Sequence, residues 1–369
     1  MDEAALHELM SGRRRDQGAR LLRGGLGIAS LGYSAVMRLR NLAYDGGWLH
    51  TSRADVPVIS VGNITTGGTG KTPLTAWLAT WLVAAGRQPG LLSRGYRSLD
   101  SRETSPDSTL PPGRPTGNDE KLVLDRLCPG VPHLQQRDRV ASARRAVQEF
   151  DCDVLLLDDG LQHRRLHRDL DLLLVDALQP WGYGHVLPRG LLREPIAGLR
   201  RADLVLITRA NQCSAEQRAA LREDLRRIRG SDECAEVAFT PQRLVDVNWR
   251  PESLISLSGK KTFAFCGIGN PAGFRKTIAE LGVSCDTMQT FADHHHYEAH
   301  DLTALAQTAR SADAEVVLTT QKDLVKISPG DWHGPPLYAV EIGVEFLSGQ
   351  DLLESRLQQA IIPRVRDQP

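Results

Sequence analysis

VISVGNITTGGTGKTPL, residues 58–74, is the stretch on which the fold turns. PVISVG (57–62) is an almost unbroken apolar run and reads as a buried strand. It leads into Thr65-Thr66-Gly67-Gly68-Thr69-Gly70, after which TPLTAWLATWLVAAG (72–86) reads as a helix. Strand, glycine turn and helix start, in that order, build an anion site. The glycines let backbone N–H groups turn inward, and the first helical turn adds further unpaired N–H groups. Lys71 is placed to reach β- and γ-phosphates, and the Thr72 hydroxyl to ligate Mg²⁺. Pro73 is harmless there, because the first turn does not use its N–H groups internally. The usual loop, G-x-x-x-x-G-K-[ST], would put glycine where this chain has Thr65. The backbone at 65 is therefore expected to hold an angle open to any residue.

Outward from the loop, apolar runs alternate with helical stretches. QPGLLSRGY (88–96), DVLLLDDG (153–160), DLLLVDA (171–177) and DLVLITRA (203–210) read as strands. Residues 119–130, 137–150 and 214–229 read as helices, and 99–118, rich in Ser, Pro and Gly, as a loop. Strands this apolar, spaced by helices, imply a parallel sheet covered on both faces. AEVAFTPQRLVDVNW reads as an extended connector, and KTFAFCGIGNP opens a second α/β unit. The expected architecture is α/β: a P-loop nucleoside triphosphate hydrolase-like parallel sheet in residues 1–240, with a smaller α/β domain in 241–369. The last helix has the option of packing back on the first domain.

The totals exclude several classes of function. In 369 residues, 45 Lys and Arg balance 45 Asp and Glu, so no global field gathers nucleic acid. The six cysteines never form a C-x-x-C pair, which speaks against a zinc site or disulfide scaffold. No run of about 18 apolar residues could span a membrane. Residues 13–40 nevertheless carry seven arginines against one acid, Asp16. They flank an apolar side formed by Leu21, Leu22, Ile28, Leu31, Tyr33, Val36, Met37 and Leu39. Two readings stand for this segment: a helix lying in an anionic membrane surface, or an amphipathic helix packed at the core's edge. It is not a signal peptide, since acids precede the basic cluster.

A phosphate loop needs a metal partner on a neighbouring strand. VLLLDDG supplies Asp158 and Asp159 at a strand end, where functional groups of open α/β sheets gather. No N-K-x-D motif is present to read guanine; TRAN (208–211) and TQKD (320–323) do not fit.

Seven ordered blocks then carry a family resemblance: TTGGTGKTP (65–73), SRGYRS (93–98), NDE (118–120), DDGLQHRRL (158–166), LPRGLLREP (187–195), FADHHHY (291–297) and TTQKDLVK (319–326). The chain resembles the tetraacyldisaccharide 4'-kinases. The resemblance implies transfer of the γ-phosphate of ATP to the 4'-hydroxyl of a tetraacyldisaccharide 1-phosphate, forming the lipid A precursor lipid IVA. It implies ATP and Mg²⁺ as cofactors and a peripheral place on the cytoplasmic face of the inner membrane. An acylated glucosamine disaccharide would be the partner, with no nucleic acid and no obligate protein. A non-glycine residue at the position of Thr65 is common in that family.

Carried over block by block, the resemblance makes Asp119 and His294 a catalytic pair acting with Lys71. Asp119 would take or orient the hydroxyl proton and His294 tune it. Read without the family, Asp119 is a helix N-cap. Three adjacent histidines point apart, so His294 to His296 should not form a metal centre. Asp158 leads the metal-side set, with Thr72, Asp159 and Glu194. Ser93, Arg94, Tyr96, Gln162 and His163 would line the acceptor site, although Tyr96 alone reads as simple packing. Asn118, Arg189 and Gln321 depart from the family pattern of glycine, alanine and acid. The 175 residues between Asp119 and His294 require the second unit to close over the first. A kinase for another glycolipid and a nucleotide-driven membrane switch are the rival readings.

Overall fold

The computed structural model describes residues 3–95 and 118–362. Tyr96 and most of the expected loop at 99–118 lie outside the described residues. Helices α1 (Glu3–Ser11) and α2 (Gln17–Asp45) come first. Then follow β1 (Val58–Asn63), α3 (Lys71–Ala84), β2 (Pro89–Ser93), α4 (Asp119–Leu127), β3 (His133–Gln135), α5 (Arg139–Phe150), β4 (Val154–Asp158), β5 (Leu170–Asp176), β6 (Leu204–Thr208) and α6 (Ala215–Arg229). The remainder is β7 (Cys234–Asp246), β8 (Pro251–Glu252), β9 (Lys261–Cys266), α7 (Pro271–Glu280), β10 (Ser284–Thr290), α8 (Ala299–Ser311), β11 (Val316–Thr320), α9 (Gln321–Leu324), β12 (Leu337–Ser348) and α10 (Gln350–Ala360).

Among the described residues the strands form one sheet, ordered β10-β9-β11-β12-β7-β6-β5-β1-β4-β2-β3, with β8 beside β7. All pairings are parallel except β7 with β12 and β8. The fully buried pattern of β1, β2, β4, β5 and β6 matches strands covered on both faces. Each such Leu, Ile or Val contributes about 1.5–3 kcal/mol by leaving water.

The stretch expected as a connector is extended but is no linker. It is mostly β7, antiparallel to β12 from Glu236 opposite Ser348 to Asp246 opposite Tyr338. Its middle, Thr240 to Arg243, is half-buried or exposed and carries Pro241, so its apolar signal breaks where the strand does not. Residue 240 therefore falls within a strand shared by both halves. Helix α10 does pack back: Leu353 and Leu357 are fully buried with Ile59, Leu172 and Leu204.

Helix α2 departs from the expected face. Its buried residues are Ala19, Ser30 and Met37, and polar groups tie this side down. The Ser30 hydroxyl donates to Val186 O (2.9 Å) and Tyr33 OH to Arg193 O (2.8 Å). Arg40 donates to Gln162 O (2.7 Å), and Asn41 to Glu194 Oε2 (3.1 Å). Tyr33 and Met37 thus face inward, roughly 120–180° around the helix from Leu21, Ile28 and Leu39. Those three are exposed at 78%, 75% and 67%. The helix is apolar on the outside and polar-anchored within. No helix among the described residues is long and apolar enough to cross a membrane.

Candidate active site

Strand β1 lies between β4 and β5, with Val61 level with Asp158. The chain leaving β1 makes an antiparallel bridge between Thr65 and Leu192, and Thr66 N–H donates to Leu191 O (2.7 Å). Thr65 is buried in that extended pairing and needs no glycine. The tip does: Gly67 has φ +113° and Gly70, the residue before α3, has φ +86°. A Cβ on Gly70 would also run into the Phe239 ring. Gly68 is exposed at the tip, and Thr69 is buried with its hydroxyl unpartnered. Thr72 opens the helix half-buried and lines the cleft.

Lys71 curls back to Asn63 Oδ1 (3.2 Å) and Asp159 Oδ1 (3.5 Å). Arg193 donates to both oxygens of Asp159 at 2.7 Å. Burial works to raise the Asp159 pKa, but Lys71 and Arg193 outweigh it and bring it down to about 2. Asp158 behaves oppositely. Burial, only partly opposed by Lys71, pushes its carboxyl up to about 7. Its Oδ1 is buried with no hydrogen-bond partner among the described residues. Adjacent carboxyls with pKa values forced apart have different tasks. Asp159 holds the loop lysine, while Asp158 presents an oxygen that no donor engages. That orphaned oxygen, beside a phosphate loop with the Thr72 hydroxyl, fits a divalent cation.

Glu194, expected with the metal set, is placed elsewhere. It is 1% exposed, and its oxygens accept from Arg201 (2.7 Å), Asn41 (3.1 Å) and Gln162 (3.1 Å). It does not line the cleft. A carboxylate with three donors is already satisfied, so its position there is that of a clamp between α2, Gln162 and the 194–201 segment. Gln162 also donates to Asn63 O (3.1 Å). His163 lines the cleft beside Arg139, Arg165 and Arg168; burial first, then these cations, lower its pKa to about 4. Arg94 is exposed on the cleft, and Ser93 bonds to His133 Nε2 (2.8 Å).

The second cluster joins the halves. The N-cap of α4 is Asn118, whose side chain accepts from Lys121 N–H (3.0 Å), so Asp119 is not the cap. Asp119 Oδ2 lies 2.7 Å from His294 Nδ1, despite 175 intervening positions. Lys326 approaches the same oxygen (3.6 Å), and Lys322 pairs with Glu120 (2.8 Å). Burial would raise the Asp119 pKa, but the His294 hydrogen bond and the charges of Lys322, His294 and Lys326 hold it below the usual carboxylate value. The hydrogen bond to Asp119 raises the His294 pKa, against its burial. Each partner therefore favours the charged form of the other. His294 itself sits at φ +61°. The histidine side chains do part: His295 bonds Asp301 (3.0 Å) while stacking on Phe291.

One cleft runs from the glycine loop past Asp158 and Asp159 to Asp119 and His294. The three departures each have a place. Asn118 caps α4, Arg189 donates to Met10 O (2.7 Å), and Gln321 reaches Glu341 (3.4 Å). Sequence reasoning missed Lys322, Asp323, Lys326 and Phe239. TTQKDLVK contained the first three, but nothing local ties them to Asp119.

A model of the family described as tetraacyldisaccharide-1-P 4'-kinase matches residues 22–362. A tetraacyldisaccharide 4'-kinase from Anaeromyxobacter dehalogenans (strain 2CP-C) is 39% identical over 336 residues, covering 89% of this chain and 88% of its own. Another, from Desulfatibacillum aliphaticivorans, is 39% identical over 346 residues, covering 90% and 92%. The crystal structure of LpxK from Aquifex aeolicus in complex with ATP has a TM-score of 0.73 at 27% identity, covering 92% of this chain and all of that one. With the loop, the acidic pair and the ordered blocks in place, the chain belongs to the tetraacyldisaccharide-1-P 4'-kinase family.

Proposed function

We infer that this chain transfers the γ-phosphoryl group of ATP to the 4'-hydroxyl of a tetraacyldisaccharide 1-phosphate, giving the lipid A precursor lipid IVA. The observation that carries the chemistry is the 2.7 Å contact of Asp119 with His294 on the same cleft as the glycine loop. The loop N–H groups, the start of α3 and Lys71 bind the triphosphate. Asp119 Oδ2 is engaged by His294 and Lys326, whereas Oδ1 takes the Glu120 N–H (3.0 Å). Oδ1 is therefore the oxygen that receives the hydroxyl proton. As that proton leaves, the 4'-oxygen bonds to the γ-phosphorus and the bond from phosphorus to the β–γ bridging oxygen breaks, releasing ADP. His294 keeps Asp119 ionised until the proton arrives. Asp158 and Thr72 would hold a bound Mg²⁺, which would supply charge neutralisation of the phosphates. Arg94, Gln162 and His163 line the path of the acceptor.

In this reading residues 1–240 with α10 carry the nucleotide, and the smaller unit after 240, which shares β7 with them, closes on α4 through His294, Lys322 and Lys326. Closure of this kind excludes water from the transfer.

The enzyme works as a peripheral protein on the cytoplasmic face of the inner membrane. The outward apolar stripe of α2 is what supports this reading, since it would meet lipid while the opposite side stays locked to the site. Replacing Leu21, Ile28 and Leu39 together by serine should abolish sedimentation with anionic vesicles and leave thermal stability nearly unchanged. Wild-type sedimentation by that variant would refute the membrane contact.

The transfer itself is tested with γ-labelled ATP and the acylated disaccharide in detergent. Label is expected on the lipid. Label found only as free phosphate would leave a nucleotide hydrolase, not a kinase.

A further inference from the structure

We propose that Asp323 and Lys326 are positioning residues for the transfer, a single buried fork that holds both members of the Asp119–His294 pair at once. The proposal rests on the role given above to that pair and adds what aims it.

Asp323 is fully buried. Its Oδ2 accepts from Gly267 N–H (3.1 Å) and the Thr320 hydroxyl (2.7 Å), and its Oδ1 lies 3.4 Å from Lys326 Nζ. One arm runs through Gly267, whose carbonyl accepts from His294 N–H (3.1 Å). That bond helps hold the backbone of His294 at φ +61°, in the left-handed region that residues with a side chain adopt uncommonly. A Cβ on Gly267 would lie 3.2 Å from Asp323 Oδ1, so the residue there allows the carboxylate its close approach. The other arm is Lys326, whose side chain is 9% exposed and whose Nζ reaches Asp119 Oδ2 at 3.6 Å. Thr320 and Asp323 alone are explained by capping α9, since Thr320 accepts from Asp323 N–H. Capping does not explain why Lys326 bridges from Asp323 to a carboxylate on α4.

A buried charge is costly unless paired. Here a carboxylate and an ammonium are both buried at the junction of the halves, where the second partner of the ammonium is the proton acceptor. The other charged groups facing this cluster are Lys322 and Glu120, paired to each other, and Asp293, 3.7 Å from His294 Nε2. The Tyr297 ring lies 5.9 Å from Lys326 Nζ. A displacement of about 1 Å at such a pair is enough to cost on the order of 10²-fold in rate.

The test compares Lys326→Met, Lys326→Arg and Asp119→Ala in the full-length enzyme, with ATP, Mg²⁺ and the acylated disaccharide. Lys326→Met is expected to lower kcat by roughly 10- to 100-fold with the KM for ATP unchanged, and Lys326→Arg to recover most of it. A wild-type kcat in Lys326→Met overturns the proposal. So does an equal loss in both Lys326 variants, which would mark a packing role. If Lys326→Met does not fold, Thr320→Val removes one donor to Asp323 without removing a charge. A several-fold lower kcat at unchanged KM then supports the fork, and an unchanged kcat sinks it. Activity lost in Asp119→Ala but kept in Lys326→Met defeats this inference alone. Activity kept in Asp119→Ala defeats the pair's catalytic role as well.

Discussion

The glycine loop and the Asp119–His294 pair face one cleft but are built by opposite means. The loop is contiguous: eight residues, Thr65 to Thr72, positioned by the strand before them and the helix after. The pair is assembled from α4 and the segment after β10, across much of the sheet. A local site tolerates what happens far away, whereas a distant pair depends on every element between its members. The difference implies that binding and chemistry can be separated by mutation.

The sharpest separation sets Lys71→Ala against Asp119→Ala. Asp119→Ala should lower kcat by roughly 10²–10⁴-fold, the range for a lost general base, while ATP still binds normally. Lys71→Ala should lose roughly 10²–10³-fold in turnover and weaken ATP binding too. Equal ATP affinities in the two variants, measured by calorimetry, would erase the distinction. A smaller effect sharpens it through pH. Asp158, raised to about 7 by burial, carries a proton that a bound cation must displace. Below pH 7 the Mg²⁺ concentration for half-maximal activity should rise, by up to about tenfold per pH unit. Asp119 has a lowered pKa, so its proton uptake limits the rate only at more acid pH. A Mg²⁺ requirement flat from pH 8 to 6 would remove Asp158 from the cation's holders.

The same contrast explains what was legible in the sequence. β1, the loop and α3 follow from local rules, and their bounds lie within a residue or two of the expected ones. Asp158 and Asp159 were visible as a pair, but their unequal charge states depend on which of them Lys71 and Arg193 reach. Glu194 was assigned by its block, yet only the packed structure shows Arg201, Asn41 and Gln162 occupying it. Strand β7 was hidden because its middle is neither apolar nor alternating; its partner β12, about 100 residues later, makes it a strand. Asp119 read locally as a cap until Asn118 was seen in that place. The face of α2 was misjudged at Tyr33 and Met37 because amphipathic patterns assume that apolar residues turn inward, and here most turn out.

The return of α10 has a consequence for synthesis. Ile59 and Leu172 belong to early strands, yet the layer that seals them includes Leu353 and Leu357 near the end of the chain. Gly70 likewise waits for Phe239 before its outer side is walled. A ribosome that has finished the nucleotide-carrying strands has therefore not yet made all of the core that holds them. A stop codon anywhere between those strands and α10 would leave Ile59 and Leu172 without the layer that Leu353 and Leu357 supply.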